Sequence, residues 1–395
     1  MTTVRLIWDV VFRAVDLARP VCKVNDIEGL VRGLYELSRR FTRERSGLTE
    51  IYLDRPDLLT AYLHYYLPVN LAKVLAVLRE LPAFRRSEED RSPIHVLDVG
   101  AGPGTASLAV QEWLEEADQP PPRLAITAVD RSRKALALAS TLWKAVATER
   151  ALPGAGLRTC QVDVERLAEV HRFTAREGRQ FDLIVIANVL NECFTGDRDP
   201  VGRRFKLVAH LLGALNDDGS LLIIEPALRE PTRALHQLRD RLVEHGLATV
   251  YSPCLHDAWC PALNHPDDWC HEERPWQAPP RIAELDRAVG WIKDALKFSY
   301  VVLRKDGTTI VPRAADLVRI VSEPRRFKGE LRMFGCGAQG RRDIGRQDKV
   351  RSAGNAAWDT CQRGTIVRIE GSQRKDATNL DRIPCDGTVE IVRPI

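Results

Sequence analysis

No run of apolar residues in this chain approaches the roughly 20 needed to cross a bilayer. The first stretch, MTTVRLIWDVVFRAVDLARP, lacks the compact apolar core and small-residue cleavage site of a secretory signal. Asp9 and Asp16 stand where an organelle-targeting helix avoids acids, so the cytoplasm is the expected location. Low-complexity tracts and internal repeats are also missing, which excludes disordered and solenoid architectures. Net charge is small overall, at a formal +4 for 395 residues. No two cysteines stand at the tight spacing of common zinc or ferredoxin motifs. Their odd number, nine, without a secretory signal argues against a disulfide framework and leaves metal ligands or buried thiols.

What is present is material for a core. A composition of 44% hydrophobic and 28% charged residues supports roughly two to three structural units. Residues 1–92 are expected to form a helical region. In DIEGLVRGLYELSRRF, Ile27, Leu30, Val31, Leu34, Leu37 and Phe41 make one apolar stripe. RPDLLTAYLHYYLPVNLAKVLAVLRELP predicts one or two more helices, broken or kinked at Pro68. Over residues 93–310 the strands IHVLDV, LAITAVD, LRTCQVD, FDLIVIAN and SLLIIEP alternate with helices such as RKALALASTLWKAVATERA and GRRFKLVAHLLGAL. That alternation predicts a parallel sheet with crossover helices. A helix, TRALHQLRDRLVEHG, and a short strand, LATVYSP, precede a cysteine-rich insertion at 252–280. A helix over RIAELDRAVGWIKDAL and a strand, KFSYVVLRK, follow it. Residues 311–352 read as a basic segment and 353–395 as a small β unit.

Gly100, Gly102 and Gly104 follow Asp98 in HVLDVGAGPGTASLA. Glycines at such a turn let the backbone approach a ligand and expose amide N–H groups at a helix start. The third glycine of a dinucleotide fingerprint is missing. The spacing D-x-G-x-G-x-G resembles motif I of the class I S-adenosylmethionine-dependent methyltransferases. That resemblance implies an α/β, Rossmann-like fold with Asp98 near the methionine part of the cofactor. It also implies Asp130 on the ribose hydroxyls, Asp163 near the adenine amino group and Asn188 of ANVLNE beside the pocket. Each acid equally suits a strand-end turn. Base-methylating enzymes often carry prolines in the loop that here reads ANVLNECF. Asn188, Asn191 and Glu192 either touch a substrate or cap the next helix. Cys193 reads as a half-buried structural thiol, and the catalytic residue is unknown.

SPCLHDAWCPALNHPDDWCHEERPW, from Ser252 to Trp276, has neither helical nor strand periodicity. It holds Cys254, Cys260 and Cys270 with His256, His265 and His271, and Cys336 stands apart in MFGCGAQGRR. The spacing makes a metal plausible without naming it. Between Arg319 and Arg351, ten Lys or Arg face four acids, a local charge of +6. Such a tract predicts either a polyanionic partner, most simply RNA, or a solvated charged loop.

AYLHYYLPVNLAKVLAVL, HVLDVGAGPGTAS, ANVLNE, EPAL, the cysteine segment, LKFSYVVLRK and RIVSEPRRFKGELRMFGCGAQG occur in that order across most of residues 50–340. In this they resemble the Rsm-twenty-two family of methyltransferase-like small-ribosomal-subunit assembly proteins, mitochondrial or bacterial. The resemblance implies a 4Fe–4S cluster on Cys254, Cys260, Cys270 and Cys336, with structural zinc as the alternative. It implies small-subunit rRNA as partner and a mitochondrial location for a eukaryotic member, and from the basic tract Arg325, Arg326, Lys328, Arg341 and Arg342 are expected to contact its phosphates. The cluster is expected to clasp the basic tract onto the methyltransferase core, among Arg325, Arg326, Arg332 and Arg341. An active RNA methyltransferase with zinc and a non-catalytic RNA-binding factor with a vestigial pocket are the competing readings. The intact Asp98, Gly100, Gly102 and Asp130 weigh against the second of these. No membrane contact is expected, and the oligomeric state stays open.

Overall fold

A computed structural model describes residues 7–17, 27–42, 52–82, 84, 92–116, 123–150, 154–375 and 380–395. Asp26 and Ala151, at the edges of two expected helices, lie outside them. In chain order the elements begin with α1 (Ile7–Leu17), α2 (Ile27–Thr42), α3 (Pro56–Ala61) and α4 (Leu67–Leu78). Then come β1 (Ile94–Val99), α5 (Thr105–Glu115), β2 (Leu124–Asp130), α6 (Arg133–Arg150) and β3 (Ala155–Gln161). Next are α7 (Leu167–Glu177), β4 (Phe181–Ala187), α8 (Pro200–Gly213), β5 (Leu215–Pro226) and α9 (Arg229–Glu244). They are followed by β6 (Thr249–Ser252), β7 (Glu272–Pro275), α10 (Pro280–Val289), β8 (Ala295–Arg304) and β9 (Leu317–Ile320). The chain ends with β10 (Arg325–Phe327), β11 (Glu330–Gly337), β12 (Gly340–Gln347), β13 (Ile366–Glu370), β14 (Gln373–Lys375), β15 (Leu380–Arg382) and β16 (Thr388–Arg393). Among the described residues no helix is long and apolar enough to cross a membrane.

Two compact units form, one from residues 1–225 and 275–296, the other from 226–274 and 297–395. Residues 226–274 and 297–310, read from sequence with the methyltransferase-like domain, cluster with the C-terminal strands. The first unit is a parallel sheet in the order β3-β2-β1-β4-β5, the order of doubly wound Rossmann-like folds. Strand β4 is buried from Phe181 to Ile186, as expected where helices cover both faces, whereas edge strand β3 is only partly covered.

The expected break at Pro68 does not occur. A π turn over Tyr62–Tyr66 joins α3 to α4 without interruption, and Leu67 N–H reaches back to the Tyr62 carbonyl. The wider turn accommodates a ring that cannot donate and would crowd the carbonyl four residues earlier. Of the stripe expected on α2, Leu34 and Leu37 are buried, but Ile27 is exposed, and Gly33 is buried tight against Ala61. The helix expected over 281–296 stops at Val289. Gly290 adopts φ +68°, and Trp291 N–H bonds to the Asp286 carbonyl, a left-handed helix stop.

In the second unit β6 runs antiparallel to β8. A separate sheet has the order β14-β15-β12-β11-β9-β13-β16, with β10 paired to β11. The basic segment and the terminal β segment therefore build one sheet. Its core surrounds fully buried Trp358, with Val318, Met333, Ile344 and Val367, and the indole N–H donates to the Leu331 carbonyl.

Candidate functional site

Strand β1 delivers the chain into the glycine turn. Gly100 has φ +67°, and a side chain there would collide with Val189, its Cβ 2.4 Å from Cγ2. Gly104, at φ +85°, starts α5. Asp98 is buried, and its Oδ2 accepts from the amide (2.9 Å) and hydroxyl (2.7 Å) of Ser107, which fixes the first turn of α5. Burial, only partly offset by these bonds, lifts its pKa to about 6. Asp130 accepts from Gly102 N–H at 2.9 Å and from Ser132 N–H at 2.7 Å, so it braces the glycine turn against the turn after β2. Asp163 accepts from Glu165 N–H at 3.1 Å and pairs with Arg166 at 3.3 Å, so its carboxylate closes a local turn.

The loop after β4 is held backbone atom by backbone atom. Asn188 and Phe194 both adopt positive φ, 58° and 60°, a conformation that non-glycine residues keep only where surroundings impose it. The Glu225 carboxylate accepts from Leu190 and Asn191 N–H. Glu165 accepts from Phe194 N–H, and Arg204 donates twice to the Cys193 carbonyl. Burial lifts Glu225 to about 8. Neither Asn191 nor Glu192 caps the next helix; Asp199 does, accepting from Gly202 N–H at 2.9 Å. Cys193 is buried rather than half-buried, and burial raises its pKa, so it is an unactivated thiol.

Sequence reasoning missed the segment in front of the glycine turn. Leu53 stands 3.6 Å from where a Gly102 side chain would begin, and Asp54 accepts from the Ser132 hydroxyl at 2.8 Å. Burial, followed among the raising influences by the nearby Glu192 carboxylate, pushes the Tyr52 and Tyr62 hydroxyls up. The tyrosines of IYLD and AYLHYYLP were the available signal.

In the second unit Cys254, Cys260, Cys270 and Cys336 line one pocket with His236, His256 and Arg341. His256 Nε2 is 3.5 Å from the Cys336 sulfur. Burial and the neighbouring Cys254 push the Cys260 and Cys336 thiols up to about 12. The thiols converge without closing. Among the described residues no three His, Cys, Asp or Glu side chains are arranged as a metal-ligand set, contrary to the expectation for the insertion.

Helix α9, expected over TRALHQLRDRLVEHG but given no role there, shapes the segment. Arg233 donates to the carbonyls of Ala262 (3.0 Å), His265 (2.6 Å) and Asp268 (2.7 Å). His236 bonds the Cys270 carbonyl at 3.0 Å, buried Arg239 donates to those of His256 and Ala258, and Asp240 accepts from Cys260 N–H at 3.0 Å. Three of these residues recur at helical spacing on one face.

Much of the basic tract is buried or paired with acids. Arg325 pairs with Asp343 and lies 4.0 Å over Phe334, Arg341 pairs with Asp268 at 3.0 Å, and Arg342 pairs with Asp381. Arg319 and Arg346 are buried. Of the five residues expected to meet RNA, Arg326 and Lys328 are exposed, without an ion pair among the described residues. The arginines beside the thiols are Arg239 and Arg341, while Arg326 lies at the exposed hairpin tip and Arg325 and Arg332 pair with acids.

The sequence profile of a family described as mitochondrial small ribosomal subunit Rsm22 matches residues 58–358. No curated protein matches the chain. Among solved structures, a protein described as a SAM-dependent methyltransferase from Streptococcus mutans is 14% identical over 59% of this chain, with TM-score 0.36. The match spans only 48% of that protein's length. The plantazolicin methyltransferase BamL is 13% identical over 71% of this chain and 100% of its own, with TM-score 0.35. A precorrin-6y C5,15-methyltransferase from Geobacter metallireducens is 14% identical over 60% of this chain and 87% of its own, with TM-score 0.32. Likeness at this level carries no argument about activity.

Proposed function

The chain belongs to the family of the mitochondrial small ribosomal subunit protein Rsm22, and from that premise we propose a methyltransferase-like factor of small-subunit assembly. It binds S-adenosylmethionine in the first unit, and small-subunit rRNA and a metal group in the second. The cofactor would lie on the Gly100–Gly104 turn, with its ribose hydroxyls on Asp130, its methionine part toward Asp98 and its adenine toward Asp163 and Asn188. Each Asp130 oxygen already accepts one N–H and keeps a second lone pair for a ribose hydroxyl. When bound, this cofactor supplies an electrophilic methyl group. The chain's own contribution is to hold the glycine turn and the Asn188–Phe194 loop rigid, through Asp98, Asp130, Glu165, Arg204 and Glu225. No proton acceptor is assigned.

The donor set of the second unit fits a 4Fe–4S cluster, because thiolates are the ligands that select such clusters or zinc. Cys254, Cys260, Cys270 and Cys336 would hold it, and it would supply a structural clasp between the cysteine segment and β11. The observation that carries this reading is that Cys336, distant in sequence, lines the pocket of the other three thiols. His256, with its nitrogen 3.5 Å from Cys336, favours zinc as the second reading, since imidazole is an ordinary zinc ligand. Anaerobic purification, an absorption spectrum and metal analysis decide between them. Iron and sulfide with broad visible absorption are expected; a colourless zinc protein refutes the cluster, and a metal-free protein refutes the clasp. Cys336→Ser should lose metal and RNA affinity together. Full loading in that variant removes Cys336 from the ligands.

A further inference from the structure

We infer that the tip of the β10–β11 hairpin is a stacking platform for an unpaired base of single-stranded RNA. The inference rests on the RNA reading above and adds the mode and place of contact. Phe327 pairs with Glu330 across the hairpin, which leaves Lys328 and Gly329 as a two-residue turn. Gly329 takes φ +71°, and its carbonyl accepts from Asp348 N–H at 3.0 Å, so the tip is anchored. The Phe327 ring is 51% exposed. Isolated exposed apolar side chains are ordinary, but three further features set this one apart.

One face of the ring is backed by the Arg332 guanidinium, 4.9 Å from its centroid. Glu330 holds that guanidinium in place at 2.8 Å. The ring is thus presented as a supported plane. On either side in sequence stand Arg326 and Lys328, exposed and without ion pairs among the described residues, whereas Arg325, Arg341 and Arg342 are each tied to an acid. Glu330, opposite Phe327 across the hairpin, is buried and occupied by Arg332 and Arg382. A flat ring flanked by two free cations suits a nucleotide whose base is unstacked and whose backbone is charged. Duplex RNA offers no free base face, and an acidic peptide would use the cations without the ring.

Fluorescence anisotropy on the full chain tests this, with an oligouridylate of about 12 nucleotides, within the site size of such platforms, and a duplex of equal length. The wild type should prefer the single strand. Phe327→Leu should weaken single-strand binding on the order of tenfold, the size of one lost base stack, with the salt slope unchanged and duplex binding unaffected. Phe327→Trp should retain affinity, which separates stacking from a folding defect. Arg326→Gln with Lys328→Gln should flatten the single-strand salt slope by about 1.4, two phosphate contacts' worth. If the wild type binds RNA and Phe327→Leu binds equally well, or loses strand and duplex alike, the platform is refuted and the RNA reading stands. A wild type that binds neither probe overturns both.

Discussion

Single residues set limits that substitution can probe. At Gly100 the positive φ and the approach of Val189 act together, so Gly100→Ala should lower stability by at least about 1 kcal/mol. It should also abolish S-adenosylmethionine binding, whereas Gly102→Ala, which meets only Leu53 at 3.6 Å, should be milder. Thermal denaturation with calorimetry checks the order, and equal effects would sink the steric argument. Because Asp130 braces two turns, Asp130→Ala would disturb the turn as well as the proposed ribose contact. Asp130→Asn is the cleaner test, and an affinity loss of about 2 kcal/mol is expected for a charge-assisted contact. Glu225 gives a pH signature. Its folded pKa, near 8, lies above that of an unfolded glutamate, so between about pH 4.5 and 8 the folded state holds the extra proton and stability falls as pH rises. Chemical denaturation across that window should show a decline that Glu225→Gln lessens. Parallel profiles would mean that Glu225 is ionised in the folded protein throughout.

Elements carry the next level of design. Helix α9 acts as a template: its side chains bond the carbonyls and amides of a segment that has almost no regular structure of its own. The template predicts that Arg239 matters as much as a ligand would. Arg239→Met leaves Asp240 without its buried partner and frees the His256 and Ala258 carbonyls, which should cost roughly 3 kcal/mol. Urea denaturation measures it, and the double variant Arg239→Met, Asp240→Leu should recover part of the loss. If the single variant unfolds at the wild-type midpoint, the segment holds its shape without α9.

For the whole molecule, the last forty or so residues are structural. Strand β13 pairs with β9, and Trp358 fills the core between strands on both sides of residue 353. A chain ending before residue 353 should therefore lose the cooperative thermal transition of its second unit. A truncated protein that melts like the full chain would show the sheet to be complete without β13–β16. The tract's charge also changes meaning at this scale. Buried Arg319 and Arg346 and the paired Arg325, Arg341 and Arg342 are spent internally, whereas Arg326 and Lys328 at the hairpin tip are exposed.

By itself the sequence determined the alternation of strands and helices, the glycine turn and its flanking acids, and the cysteine segment. Each is a local pattern: buried parallel strands read as apolar runs, and a positive φ calls for glycine at a specific position. It did not determine which polar groups are spent internally. Asp98 on Ser107, Asp130 on two amides, Arg341 on Asp268 and α9 beneath the cysteines depend on partners brought together by folding. Nor did local pattern show that Pro68 would be carried by a π turn, or that Gly290 would stop a helix whose apolar period runs on. Tertiary structure decided these because the energy of a buried charge or an unpaired carbonyl depends on what lies opposite it, and sequence spacing does not record that.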